Sequence, residues 1–183
     1  MSKNGLILLK PTTIAKTGTS ATINANGSVS CTSVGSISLN GVFSADYDNY
    51  MAVISGKTSN VYDGIYVRFR ASGTDDTGNN YTSQYLYAES TSIQAGRNTF
   101  NGIYSTIFDP TLHTGTIYHI YGPYLAQPTA LRSVTCGVGG VLQIYDRAAT
   151  HALSSSYDGI TFYPSQGTSR PFTGRIAVYG VRK

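Results

Sequence analysis

Residues 28–56 read SVSCTSVGSISLNGVFSADYDNYMAVISG, and the way this stretch is parsed decides the fold. Val29, Cys31 and Ser33 alternate with polar neighbours, and beyond Gly35 so do Ile37 and Leu39, the period of two that marks strands with one face toward a core. Asn40-Gly41 then supplies a turn or bulge. Phe43 ends one strand, Ser44-Ala45-Asp46 turns the chain, and Tyr50, Ala52 and Ile54 share one face of the next strand while Met51 and Val53 share the other. On this reading Asp46, Asp48 and Asn49 bond to turn backbone, as short polar side chains do. The rival reading makes Asp46 and Asp48 a carboxylate pair for glycoside hydrolysis, or makes them metal ligands with Asn49. A catalytic pair needs a set separation across a substrate, which spacing alone does not supply, so the turn is the expectation.

Composition carries the strand reading to the whole chain. Of 183 residues only 12% are charged, about half of the usual share near 25%. Glu89 is the single glutamate and lysine is scarce, so the residues that cover exposed helix faces are missing. Fifteen tyrosines with many Val, Ile and Thr suit pleated, half-buried strands, and Gly, Asn, Asp and Ser clusters supply the turns. The class expected is all-β, in one domain.

From Ser28 onward the strong runs are 50–55, 64–71, 84–89, 102–108, 116–121, 131–138, 141–147, 159–163 and 175–180. With turn signals at Ser72 to Asp76, Asn79-Asn80 and Gly139-Gly140, this is the spacing of a sandwich or barrel. Residues 1–27 lack a period that would commit them to the core. They read as an extended arm, separate from a β-sandwich over 28–183, and Leu6, Ile7, Leu8 and Leu9 form an apolar patch suited to pairing with a partner.

The formal charge is +4, but Lys and Arg are spread singly, and alternation places Arg68 and Arg70 on the solvent face of a strand. Without a basic tract there is no footprint for nucleic acid. The run Leu6–Leu9 is too short for a secretory core, and no segment approaches the roughly 18 apolar residues of a membrane span. Cys31 and Cys136 have neither CxxC spacing nor a nucleophile context and read as ordinary buried thiols.

Other motifs are thin. Ser55-Gly56-Lys57-Thr58 has Met51 where a phosphate loop needs its first glycine. The oxygen-rich Ser72 to Asn80 stretch lacks the ligand spacing of a calcium loop and reads as an exposed hairpin tip, with an ion at Asp75-Asp76 left open. His113, His119 and His151 have no zinc-protease spacing. No cofactor, metal or catalytic residue is expected. The tyrosines divide among core, subunit contacts and a platform for a glycan.

Three segments carry a resemblance. Phe43 to Tyr50 (FSADYDNY), Gly115 to Tyr124 (GTIYHIYGPY), and the close GITFYPS from Gly159 through FTGRIAVYG ending at Gly180 resemble small tailed-phage virion accessory proteins over residues 36–183. The resemblance implies a jelly-roll-like antiparallel β-sandwich and a non-enzymatic structural role. That role is a tail-associated fibre or adhesin-like module, with capsid head decoration as the alternative and a glycan hydrolase as the remote one. It further implies contacts with its own subunits, as a homotrimer or larger symmetric array, and with other virion proteins. A host surface glycan is the other partner it admits, with assembly in the bacterial cytoplasm and residence on the tail or head surface. It offers no catalytic residues, and Ser169-Arg170-Pro171 departs from its pattern before Phe172.

Overall fold

A computed structural model describes residues 5–138 and 142–182. Its strands are Leu6–Leu9 (β1), Thr13–Ile23 (β2), Val29–Asn40 (β3), Asn49–Thr58 (β4), Asp63–Ala71 (β5), Thr74–Asp75 (β6) and Tyr81–Glu89 (β7). They continue with Ser92–Phe100 (β8), Ile103–Phe108 (β9), Thr114–Tyr121 (β10), Thr129–Val138 (β11), Leu142–His151 (β12), Gly159–Pro164 (β13) and Phe172–Val181 (β14). All their pairings are antiparallel. Among the described residues the helical content is one 3-10 turn at Gly167–Ser169. The all-β class expected from composition, and the antiparallel sandwich expected from strand spacing and the resemblance, are what form.

One strand divides the sheet into two layers. The first half of β3 pairs with β14, from Val29 opposite Ile176 to Val34 opposite Phe172. Its second half, Ile37 to Leu39, pairs with β13 on the same side. Between them Ser33 has φ 51°, and Gly35 packs so tightly on the 3-10 turn that a Cβ there would lie 2.6 Å from the Thr168 backbone. The strand bends at this point, so the two alternating stretches read in the sequence are one bent strand. One layer then runs β9, β5, β13, β3, and the other runs β14, β4, β10, β11, β12, β7, β8.

The layers close on aromatic contacts. Phe162 of β13 meets Tyr118 of β10 edge-on at 5.6 Å, Phe69 of β5 stacks on Tyr81 of β7 at 6.2 Å, and Phe108 of β9 meets Phe172 of β14 at 5.8 Å. The Tyr118 hydroxyl lies 2.7 Å from Ser105 Oγ of β9, so the buried phenol keeps a hydrogen-bond partner. Each such ring, removed from water, contributes roughly 1.5–3 kcal/mol.

The amino-terminal segment differs from its expected isolation. β1 pairs with Val178–Val181 of β14, and β2 pairs along β3 from Thr13 to Ile23. Leu9, Ile14, Ala21 and Ile23 pack partly buried against the core. The strand pairing that Leu6–Leu9 were expected to make with a partner is made here with β14. Backbone pairing along an existing edge orders these residues without the apolar period that was sought. β8 escaped notice for a related reason, since SIQAGRNTF is exposed on both faces and so has no alternation. The Gly139-Gly140 turn lies outside the described residues.

Candidate functional site

The densest polar cluster of the sequence is a turn. The Ser44 amide donates to the Tyr50 hydroxyl at 2.8 Å, and that hydroxyl donates back to the Ser44 carbonyl at 2.8 Å. Ser44 Oγ donates to Asp46 at 3.1 Å and accepts the Asp46 amide at 3.3 Å, while the Asp48 carbonyl accepts the Gly122 amide at 2.8 Å. Tyr50, Ala52 and Ile54 are buried and Met51 and Val53 half-buried, the two faces read from the alternation.

The Ser72 to Asn80 stretch forms the expected hairpin with Ser72, Gly73, Thr74, Thr77 and Asn79 exposed, but its two acids are not at the tip. Ser72 and Gly73 both take positive φ, 49° and 79°, which makes a tight hairpin and folds the following acids inward. Asp75 pairs with Arg70 at 3.1 Å and accepts from Thr161 at 2.7 Å. Arg70, placed on the solvent face by alternation, is therefore 5% exposed beneath β6. Asp76 bonds the fully buried His151 at 2.5 Å, the Gly78 amide at 2.8 Å and Asn80 at 3.1 Å. Both carboxylates face basic or amide donors, and no group of His, Cys, Asp or Glu suited to a metal occurs among the described residues. His113 and His119 are exposed and stand apart from His151. Cys31 is buried, Cys136 is exposed and both are free, while burial pushes the Cys31 thiol up to about 11.

Two arrangements that no sequence motif announced are more suggestive. The first is a ladder of six tyrosine rings and two guanidinium groups that reaches into the interior of the sandwich. Arg68 lies 4.4 Å above the Tyr163 ring; Tyr163 stacks on Tyr66 at 5.5 Å, and Tyr66 meets Tyr104 at 5.3 Å. Arg147 then sits over both Tyr104, at 4.8 Å, and Tyr85, at 4.7 Å, and Tyr85 leads through Tyr87 to Tyr145. Arg147 is 1% exposed, has no carboxylate partner among the described residues, and donates to Ser83 Oγ at 3.1 Å. Burial pulls its guanidinium down, and the tyrosine faces supply the compensating attraction. These pairs meet across five strands, β5, β13, β9, β12 and β7, which no local spacing encodes.

The second arrangement is an inverted sheet face. On β12 the polar Gln143 and Arg147 point inward, whereas Leu142 and Ile144 are 65% and 58% exposed. Neighbouring strands continue the outward aliphatic surface. Register aligns Val53, Ile117, Val134, Asp146 and Leu86 in one row, and Cys136, Ile144, Ala88 and Ile93 in the next. Ile93 is 79% exposed and Leu86 56%. Asp146 of this patch is joined to Arg132 of the adjoining row by two bonds of 3.0 and 2.6 Å, and Arg97 stands in that same adjoining row. Soluble monomers seldom leave so continuous an aliphatic surface in water.

No family model matches the chain, and no curated protein matches it. Among solved structures, arcelin-5, a lectin-like defence protein from Phaseolus vulgaris, is similar at 10% identity with a TM-score of 0.41, over 100% of this chain and 95% of that one. Nothing is transferred from that likeness.

Proposed function

We propose that this chain is a non-enzymatic structural module of a phage particle, a tail-associated fibre or adhesin-like subunit that assembles with copies of itself. The observation that carries the assembly role is the inverted face of β12 and its neighbours, which exposes Leu86, Ile93, Leu142 and Ile144 while sending Gln143 and Arg147 inward. A second copy is the occupant that fits. The acid Asp146 and the bases Arg132 and Arg97 border the aliphatic rows, so a two-fold-related copy can set acid against base across the seam. Stacked sheet faces about 10 Å apart would bury the aliphatic rows of both. The phage setting rests on the resemblance of the FSADYDNY, GTIYHIYGPY and GITFYPS segments.

Particles assembled with the wild-type chain, or with Leu86→Glu plus Ile93→Glu, would be labelled with antibody. Wild-type label at the tail, with the double variant folded but absent from particles, is the expected result. Label spread over the head lattice would favour decoration of the capsid over a fibre. Undiminished incorporation of the double variant would remove this face from assembly.

A further inference from the structure

One end of the tyrosine ladder opens into a cleft of about 420 Å³ between the β5–β13 surface and the end of β8, within the usual volume of small-molecule sites. Three features of this cleft converge on one class of ligand. The first is a positive charge without a carboxylate. Arg68 is fixed by its ring contact with Tyr163 and by donation from Nε to the Asn101 carbonyl at 2.7 Å. Its terminal N–H groups have no acceptor among the described residues, so a planar two-toothed donor is held ready in place.

The second feature is an apolar wall with a free face. Phe100 is 48% exposed and its ring stacks on no other ring among the described residues. Tyr66 and Tyr163 also line the cleft. Burial pushes the Tyr163 phenol up to about 12, so it stays neutral and the wall adds no negative charge near physiological pH.

The third feature is a set of neutral hydrogen-bonding groups at the rim, the side-chain amides of Asn101 and Gln166, which make no bond to described residues. Asp63 holds the corner beneath them. Its carboxylate accepts the Gly64 amide at 2.8 Å, the Gln166 amide at 3.2 Å and the Ser165 hydroxyl. Asp63 is thus 5% exposed and turned to its own backbone, and Asp75, the acid acting on Tyr163, is paired with Arg70.

We infer that this cleft binds a carboxylated sugar, with Arg68 on the carboxylate, Phe100 against the apolar face of the pyranose, and Asn101 and Gln166 on its hydroxyls. A neutral sugar would leave the Arg68 fork without an acceptor, and a bare anion would leave Phe100 uncovered. The inference rests on the adhesin-like reading for its purpose but not for its test, since binding is measured on the isolated protein.

The measurement is titration of the wild-type chain, Arg68→Gln and Phe100→Ala with a panel of uronic-acid and sialic-acid oligosaccharides, each beside its carboxyl-reduced counterpart. The wild type is expected to bind at least one acidic member about tenfold or more tighter than its reduced form. Arg68→Gln should lose that discrimination, and Phe100→Ala should weaken both forms, with melting temperatures unchanged. Equal affinity for acidic and reduced sugars, no binding across the panel, or discrimination surviving in Arg68→Gln would each overturn the inference. Arg68→Gln should still enter particles like the wild type, so a failure of the cleft and a failure of the assembly reading give different results.

Discussion

Replacing Gly174 by alanine is expected to destabilise the fold by about 3 kcal/mol or more, the upper end of what overpacking a core costs. Gly174 of β14 lies opposite Gly56 of β4, and a Cβ there would sit 2.2 Å from the Ser55 carbonyl oxygen and 2.9 Å from the Gly56 Cα. These are backbone atoms, so no side chain can swing aside. The mirror change, Gly56→Ala, would meet the Thr173 carbonyl at 2.4 Å and the Phe108 ring at 3.1 Å. Denaturant melts of both variants check the expectation. A Gly174→Ala protein within about 1 kcal/mol of wild type would mean that β4 and β14 pack less closely than described.

The second large effect lies at His151. Asp76→Ala should cost about 3 kcal/mol, because it leaves a fully buried imidazole without its acceptor and frees the chain between β6 and β7. The pH dependence has a definite sign. Burial alone would raise the Asp76 carboxyl, but the Gly78 amide, His151 and Asn80 together outweigh it and hold it below the usual carboxylate range. A depressed folded value gives stability that is present above the unfolded value, near 3.9, and is lost as pH falls through the folded one. Stability of the wild type should therefore fall more steeply in acid than that of Asp76→Asn. Parallel acid melts for the two proteins would contradict the role given to Asp76.

The difference between what was legible in the sequence and what was not follows the range of the interactions. Tyr50, Ala52 and Ile54 were placed correctly because alternation is a local property of one strand. The Asp46 turn was legible for the same reason, its partner Ser44 being two residues away. Arg70 was misplaced because its exposure depends on β6 folding back over it, a consequence of positive φ at Ser72 and Gly73. The residues before Val29 were read as separate because pairing to β14 and β3 leaves no apolar period. The ladder from Arg68 to Tyr145 was invisible because its members come from five strands. The outward Leu142 and Ile144 were not legible, because the polar residues of QIYDR fall on both faces of β12, so alternation does not say which face turns to the core.

The assembly claim is met most directly by sedimentation of the purified chain at micromolar concentration, beside Leu86→Glu plus Ile93→Glu. The wild type should sediment as a multiple of the 19.5 kDa chain, and the double variant should fall to the single chain with its melting temperature retained. A wild-type protein that remains at 19.5 kDa throughout, or a double variant that keeps the higher mass, would contradict it.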